Sequence, residues 1–318
     1  MSDRESTNGL LHSRSAVPPT ILQRIKRFAG RPPGQKAHTL RFLLRQSLAK
    51  LPFVPVPIRL EIAPEDVETF WWSYVVPPFH AERGFLDYWG EDVGDLRFLW
   101  RILRANMVFF DVGAYHGFYT LVAARKLRGR GLIVAFEPSP REHRRLRLHL
   151  RLNGLSSVRC EPLAAAAASA RRRFFVVSSA DTTMNSLRHP AVEGAIEETL
   201  VETVSLDHYC RQNGLQRVDV LKVDAEGGEL EVFAGATGLL ESCRPLILCE
   251  VLDKVTQPWG YRAREIVDML RRFDYEWFDL LPTGDLQPHV RREDYPEVRN
   301  YLAVPMEKRA EIEQWISV

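Results

Sequence analysis

The chain has 318 residues, with 43 lysines and arginines against 41 aspartates and glutamates, and 45% of its residues are hydrophobic. A near-neutral chain with that hydrophobic fraction buries a substantial core, which excludes a mainly disordered or fibrous protein. No apolar run reaches the ~20 residues that cross a bilayer, and the N-terminus lacks the apolar core of a secretory signal. We therefore expect a cytoplasmic globular protein.

Basic charge is concentrated in the first 50 residues, which carry ten basic and two acidic side chains. Residues 21–28 and 40–48 predict short amphipathic helices with basic faces, which suit peripheral contact of residues 20–50 with an anionic membrane. We favour the alternative interpretation, in which this basic segment is a solvated tail and not a membrane contact. Prolines punctuate this part of the chain up to Pro57, so we predict a basic tail over residues 1–57.

The next segment, residues 58–105, is rich in aromatic side chains, including a run from Phe70 to Tyr74. We expect a helical, aromatic cap that packs on the following domain. A lid with stacking faces for a sugar is the alternative function of the same cluster.

From residue 108 onward, short apolar runs alternate with amphipathic stretches, which predicts a parallel sheet covered by helices on both faces. The predicted strands are Val108–Val112, Leu132–Phe136, Val158–Leu163, Val218–Val223, Pro245–Glu250, Tyr275–Leu280 and Tyr301–Val304. The predicted helices are Phe118–Leu127, Pro140–Leu152, Glu229–Leu240 and Arg262–Phe273. An inserted hairpin is predicted from Arg171 to Leu187. We expect one doubly wound, seven-stranded α/β domain over residues 106–318.

The first predicted strand runs into a glycine-containing turn, with Asp111, Gly113, Ala114, His116 and Gly117 before a helix. Glycine lets the backbone approach a ligand closely, because it has no Cβ and tolerates a positive φ. The G-x-x-x-G spacing differs from the G-x-G-x-x-G that holds a dinucleotide pyrophosphate. The turn therefore suits a nucleoside-bearing ligand better than NAD.

The second predicted strand ends in Glu137 and Pro138, twenty-six residues after Asp111. In doubly wound sheets an acidic side chain at this tip accepts hydrogen bonds from both ribose hydroxyls. We therefore assign Glu137 as the ribose-binding residue.

The fourth predicted strand leads into an acidic segment that contains Asp224, Glu226 and Glu229. Ligands of open α/β sheets bind at this edge. Lys222 and Asp224 lie on the same side of the strand by alternation, which predicts an ion pair. Glu229 is explained by the positive N-terminus of the following helix.

These motifs, in their order and spacing, resemble the FkbM family of S-adenosylmethionine-dependent methyltransferases over roughly residues 106–280. The match rests on Asp111–Thr120, Phe136–Pro138, Ser205–Asp207, Cys249–Glu250 and, most specifically, the block Lys222–Val232. The resemblance implies a class I, Rossmann-like methyltransferase fold, S-adenosyl-L-methionine as cofactor, and O-methylation of a sugar, glycolipid, polysaccharide or secondary metabolite. It implies cofactor contacts from Asp111, Gly113, Ala114, Gly117, Glu137, Pro138 and Asp224.

An alcohol acceptor loses a proton during methylation, so a general base near its oxygen accelerates the reaction. Asp224 is our first candidate, Glu226 the second and His116 the third. Asn185 and Ser186, in the polar run after the inserted strand, are candidate acceptor contacts. We expect a small-molecule or glycan acceptor.

Three other functions stay open. The basic tail suits a nucleic-acid methyltransferase, although no [DN]-P-P-[YF] element follows the fourth strand and we expect no nucleic-acid partner. A nicotinamide oxidoreductase is disfavoured by the glycine spacing. A catalytically silent nucleoside-binding module is disfavoured by the presence of Glu137 and Asp224.

The four cysteines form no CxxC pair, so we expect free thiols and no metal.

Overall fold

The computed structural model describes residues 56–62, 68–74, 94–178, 184–192 and 194–317, with the first two segments as backbone only. All of them belong to one compact unit, Pro52–Val318. The predicted basic tail, including residues 20–50, lies outside the described residues except for its last two positions. Within the described segments, no helix has the length and apolar character needed to cross a membrane.

The described segments contain strands and α-helices that alternate over most of their length. The strands are β1 (Val56–Ile62), β2 (Glu68–Tyr74), β3 (Met107–Val112), β4 (Gly131–Phe136), β5 (Arg159–Glu161), β6 (Leu163–Ala165), β7 (Ala170–Val177), β8 (Ile196–Val204), β9 (Val220–Val223), β10 (Leu246–Glu250), β11 (Tyr275–Leu280), β12 (Leu286–Pro288) and β13 (Asn300–Pro305). The helices are α1 (Gly94–Ile102), α2 (Phe118–Leu127), α3 (Pro140–Leu152), α4 (Leu206–Gln212), α5 (Glu229–Ala234), α6 (Thr237–Ser242), α7 (Asp253–Thr256) and α8 (Arg264–Arg271). Short 3-10 turns cover Gln257–Trp259, Met306–Glu311 and Glu313–Trp315.

The central sheet has the strand order β5-β4-β3-β9-β10-β13-β11-β12. The five strands from β5 to β10 pair in parallel, and β13, β11 and β12 pair antiparallel. This confirms the doubly wound α/β fold. The sequence predicts seven strands and the sheet has eight, because β12 is a three-residue edge strand that ends in proline and carries no alternating pattern.

The parallel strands are apolar along most of their length because both faces of the sheet are covered. All of β9 and β10 and the last four residues of β3 and β4 are buried. The rings of Phe110, Phe136 and Tyr209 pack edge to face with centroids 4.9–5.9 Å apart. This packing ties β3 and the carboxyl end of β4 to helix α4.

The inserted hairpin exists but its second strand is not the predicted one. β7 pairs antiparallel with β8 over its full length, and the polar run contributes a single bridge between Phe175 and Ser186. β8 also pairs in parallel with β6, which makes a three-stranded sheet in the order β6-β8-β7. The β-branched residues of 196–204 favour a strand, whereas the serines of the polar run do not.

The predicted helix Glu229–Leu240 is two helices, α5 and α6, that meet at Gly235. A Cβ on Gly235 would lie 2.1 Å from the carbonyl oxygen of Ala166. The chain breaks here because the two backbones touch, which a helical pattern in the sequence does not reveal.

The prediction of helices over residues 58–105 is wrong for the first part of that range. β1 and β2 form an antiparallel hairpin. Among the described residues of this range, the helical part is α1. Ile58, Leu60 and Ile62 recur with a period of two, and aromatic residues favour strands, so the local pattern supports β structure.

The turn after β3 touches the turn after β9 through Gly113. This glycine has φ +75°, and a Cβ at its position would lie 1.7 Å from the carbonyl oxygen of Asp224. Gly129 has nearly the same φ, +74°, but no atom lies within 4 Å of its Cβ position. The two glycines therefore differ in contact and not in backbone conformation.

We expect Gly113→Ala to destabilise the protein by about 2 kcal/mol more than Gly129→Ala, because both substitutions strain a positive φ but only the first inserts a methyl group against backbone. Urea unfolding of the two variants measures the difference. Equal unfolding free energies would show that the turns separate at no cost.

Candidate active site

A cavity of about 980 Å³, open to solvent, lies at the carboxyl ends of β3, β4 and β9. Its walls come from parts of the chain that are distant in sequence. Of the predicted site residues, the cavity is lined by Gly113, Ala114, His116, Glu137, Pro138, Asn185, Asp224 and Glu226. The structure thus brings most of the predicted site residues together.

The turn after β3 is held against β4. The N–H groups of Gly113 and Ala114 donate to the carbonyl of Phe136, at 3.1 and 3.0 Å. Gly117 lies behind the lining, where it precedes α2 with φ +88° and its Cβ position is 2.3 Å from Leu146 Cδ1. Its role is to let helix α3 pack against the turn.

Asp111 also lies behind the lining, where it is buried. Its Oδ2 accepts a 2.5 Å hydrogen bond from the Thr120 hydroxyl, and its Oδ1 has no hydrogen-bond partner within the described structure. Burial raises the pKa of Asp111 to about 6, against the opposing effects of Thr120 and Lys222. A buried acceptor atom is therefore left beneath the turn.

Glu137 extends from the end of β4 into the cavity and is buried. Its Oε2 accepts from the N–H of Tyr115 at 2.7 Å, and its Oε1 accepts from the N–H of Ser139 at 2.8 Å. These bonds fix the carboxyl orientation, and each oxygen retains capacity for a further bond. Burial raises the pKa of Glu137 to about 8, with Glu142 and Asp111 adding to the effect.

The raised pKa of Glu137 makes the stability depend on pH. Between its ordinary pKa of 4.5 and about 8, the native carboxyl holds a proton that the unfolded chain releases. The stabilisation that this carboxyl provides is complete below pH 4.5 and is lost as the pH rises through 8.

We expect Glu137→Gln to flatten the fall in unfolding free energy from pH 5 to 8, as measured by urea unfolding. An unchanged slope would contradict the raised pKa.

His116 lines the cavity but its Nε2 contacts Glu142 Oε2 at 2.5 Å. Its ring also stacks on Tyr115, with centroids 3.6 Å apart. Burial lowers the pKa of His116 to about 3, although Glu142 opposes the shift. The imidazole is neutral at pH 7 and weakly basic, so the geometry favours a role in holding the turn over one in accepting a proton.

Lys222 and Asp224 form an ion pair at the tip of β9, which confirms the pairing predicted from strand alternation. Lys222 Nζ lies 3.0 Å from Asp224 Oδ2, with the lysine side chain buried and 32% of the aspartate side chain exposed. Burial alone would lower the pKa of Lys222, but the carboxyl groups of Asp224, Glu250 and Asp111 outweigh it and raise the pKa. A charged ammonium therefore lies at the base of the cavity.

More acidic groups surround this ion pair. Loss of water raises the pKa of Glu226 well above its ordinary value, and Glu250 and Asp224 raise it further. Glu250, at the end of β10, shows the same shift, and its buried Oε2 has no hydrogen-bond partner within the described structure. Glu229, the first residue of α5, accepts from the N–H groups of Ala225 and Gly227 in the turn before the helix. Burial, together with the neighbouring carboxyl groups, therefore favours the protonated forms of Glu226 and Glu250.

Tyr119 joins the ion pair to two parts of the chain outside the predicted motifs. Its ring lies 4.9 Å from Lys222 Nζ, in a cation–π contact. Its hydroxyl donates to Asp95 on α1, and Asn300 on β13 donates to Asp95 Oδ2 at 2.7 Å and to the tyrosine oxygen at 2.9 Å. Burial raises the pKa of Asp95. Asp95 and Asn300 thus hold the ring that covers the ammonium.

We expect Tyr119→Phe to lower the unfolding free energy by about 1–2 kcal/mol, because Asp95 loses one of its buried donors while the ring over Lys222 remains. Tyr119→Leu removes the ring face as well, so we expect its turnover to be lower than that of Tyr119→Phe. Unfolding and turnover measured together separate the two effects. Equal turnover in both variants would contradict a role for the cation–π contact.

The two candidate acceptor contacts behave differently. Asn185 lines the cavity, and its Oδ1 accepts from the N–H of Val177 at 2.8 Å. Ser186 is outside the cavity lining, and its hydroxyl donates to the carbonyl of Glu226 at 2.9 Å. Ser186 therefore anchors the acidic turn and Asn185 is the one that faces the cavity.

The sequence analysis missed several lining residues. An apolar wall is formed by Leu163, Ala164, Ala165 and Phe174, which belong to the inserted sheet. Tyr115, Phe118 and Tyr119 line the opposite side. The wall begins directly after β5, and ligands bind at the carboxyl ends of such strands, so this position could have been predicted from the sequence. The role of Tyr119 depends in part on Asn300, which is 181 residues away in sequence.

Comparison with known proteins matches residues 111–277 to the methyltransferase FkbM domain model. The chain is 31% identical over 160 residues to methyltransferase sdnD of Sordaria araneosa, which covers 42% of this chain and 61% of that protein. It is 34% identical over 74 residues to the 2-O-methyltransferase NoeI of Sinorhizobium fredii, covering 23% and 30%. A segment of the antimetabolite synthetase AmbE of Pseudomonas aeruginosa is 29% identical over 209 residues, 55% of this chain and 10% of the synthetase. The matches thus span less than two thirds of each of these relatives.

Among solved structures, methyltransferase FkbM from Methylobacillus flagellatus is similar with a TM-score of 0.40 and 16% identity, covering 64% of this chain and 44% of that one. An O-methyltransferase from Bacillus cereus has a TM-score of 0.39 and 16% identity, covering 73% and 93%.

The strand order and the cavity at the ends of its parallel strands define a class I methyltransferase fold. The match over more than half of the residues places the chain in the FkbM methyltransferase family.

Proposed function

We propose that this protein transfers a methyl group from S-adenosyl-L-methionine to a hydroxyl of a sugar, glycolipid, polysaccharide or secondary metabolite. The observation that carries the proposal is the Lys222–Asp224 ion pair, which faces the same cavity as the glycine turn and Glu137. A nucleoside-binding side and a charged, proton-accepting side therefore share one space.

The residues present fit the cofactor. Glu137 offers two fixed carboxyl oxygens, which suit a vicinal diol. Gly113 lets the backbone approach closely, whereas Asp111 lies behind the lining and is held by Thr120. The apolar wall around Phe174 suits a flat base. When bound, the cofactor supplies an electrophilic methyl group on a sulfonium sulfur.

The residues of the chain would position the acceptor and take up its proton. The half-exposed carboxylate of Asp224 is open to the cavity, and the buried ammonium of Lys222 stabilises its negative charge. Glu226 is a poorer base because its neighbours favour the protonated form. His116 is a poorer base because burial lowers its pKa to about 3. Aligning the hydroxyl and excluding water account for the remaining rate.

One relative is named a 2-O-methyltransferase, which supports a hydroxyl as the acceptor group. Another is named a methyltransferase, which supports methyl transfer as the reaction. The acceptor of this chain is proposed from its own cavity and its family, since each relative is matched over only part of its length.

Calorimetric titration with S-adenosyl-L-methionine, and in parallel with NAD, tests the cofactor. We expect binding of the first and none of the second. Glu137→Ala should weaken binding by about tenfold or more, because a buried hydrogen-bonding group is lost. Equal affinity of wild type and Glu137→Ala would overturn the ribose assignment.

We expect Asp224→Asn to lower turnover by about 10²–10⁴-fold while cofactor affinity changes little. Glu226→Gln is the matched control, since it changes a neighbouring carboxyl that its raised pKa makes the poorer base, and it should change turnover by less than about tenfold. Initial rates on any accepted hydroxyl compound measure both. The reverse ranking would make Glu226 the base.

A further inference from the structure

A second open space of about 1030 Å³ lies on the inserted three-stranded sheet, and we call it the arginine groove. Its described lining includes basic side chains and apolar ones but no carboxylate. The residues that matter here are Arg171, Arg173, Phe175, Leu187, Arg188 and His189.

Most of these cations are free to contact a ligand. Arg171 and Arg173 lie 3.8 Å from Glu202 and Glu198, and each of the four side chains is at least half exposed. Exposed ion pairs of this length contribute little and exchange readily. Arg172, which also borders the groove, is held by Glu231 and is less available.

The other basic edge of the groove comes from Arg188 and His189, which are both exposed. Within the described structure Arg188 has no ion pair, and its guanidinium stacks over Trp259 at 5.6 Å. His189 packs against the ring of Phe175, with centroids 5.2 Å apart. Cationic groups therefore border the groove on two sides, with an aromatic floor between them.

The groove adjoins the methyl-transfer cavity. Leu187 lines both spaces, and Asn185, two residues earlier, faces the cavity. This dividing segment is anchored by two backbone hydrogen bonds between Ser186 and Phe175, at 2.8 and 3.1 Å. The two spaces therefore meet at Leu187, at the edge of the inserted sheet.

We propose that the arginine groove binds a phosphate or diphosphate group of the acceptor, so that the methylated compound is a phosphorylated one. This inference rests on the proposed function for the identity of the acceptor, but the groove itself is a separate binding site. Guanidinium groups bind phosphate oxygens in pairs, and the mixed apolar floor suits the attached sugar or base. A nucleotide-linked sugar and a lipid-linked sugar share this chemistry.

The test is calorimetric titration of the full chain with inorganic pyrophosphate, with uridine diphosphate, and with vesicles containing phosphatidylglycerol. The variant is Arg171→Gln/Arg173→Gln, and the matched control is Arg104→Gln/Arg211→Gln, two exposed arginines that line neither space. We expect pyrophosphate to bind the wild type and the control alike and the groove variant about tenfold more weakly. Preference for uridine diphosphate or for vesicles identifies the source of the phosphate.

S-adenosyl-L-methionine titration of the same proteins separates the two proposals. Unchanged cofactor binding with weakened pyrophosphate binding in the groove variant supports the groove. If the wild type does not bind the cofactor, the proposed function is wrong, whereas the pyrophosphate result still stands. Equal pyrophosphate affinity in variant and control, or binding of an RNA oligonucleotide that pyrophosphate does not displace, overturns the groove proposal.

Discussion

The buried ammonium of Lys222 is the constraint on which the site depends. A charge removed from water is tolerated only when opposite charges surround it, and here Asp224, Glu250 and Asp111 do so. These carboxyl groups come from the ends of three adjacent strands, so the sheet order is what assembles them. The same arrangement leaves Asp224 partly exposed to the cavity while Glu250 behind it is buried. One buried cation thus orders a cluster of acids that would otherwise repel one another.

Support for this centre extends beyond the segment that matches the family, residues 111–277. Asp95 lies before it and Asn300 after it, yet both bind the hydroxyl of Tyr119, whose ring covers the ammonium. Helix α1 and the antiparallel end of the sheet therefore help to hold the Lys222–Asp224 ion pair in place. The segment that matches the family supplies this ion pair, and its flanks support it.

The inserted sheet gives the cavity its second half. Its inner residues, such as Phe174, form the apolar wall, and its outer residues, such as Arg173, form the arginine groove. Strand alternation places these neighbours on opposite faces, so one short strand serves two spaces.

Local patterns in the sequence were enough to predict the alternation of strands and helices and the Lys222–Asp224 pair, because these depend on periodicity and on residues two apart in one strand. Long-range packing, by contrast, fixed the break at Gly235, the contact between Tyr119 and Asn300, and the turning of His116 toward Glu142. Each of these depends on contacts between segments far apart in the chain, such as Gly235 with Ala166 or Tyr119 with Asn300. Distant contacts leave no periodic trace in a single sequence, and burial, which sets the protonation of His116 and Glu137, exists only in the folded chain.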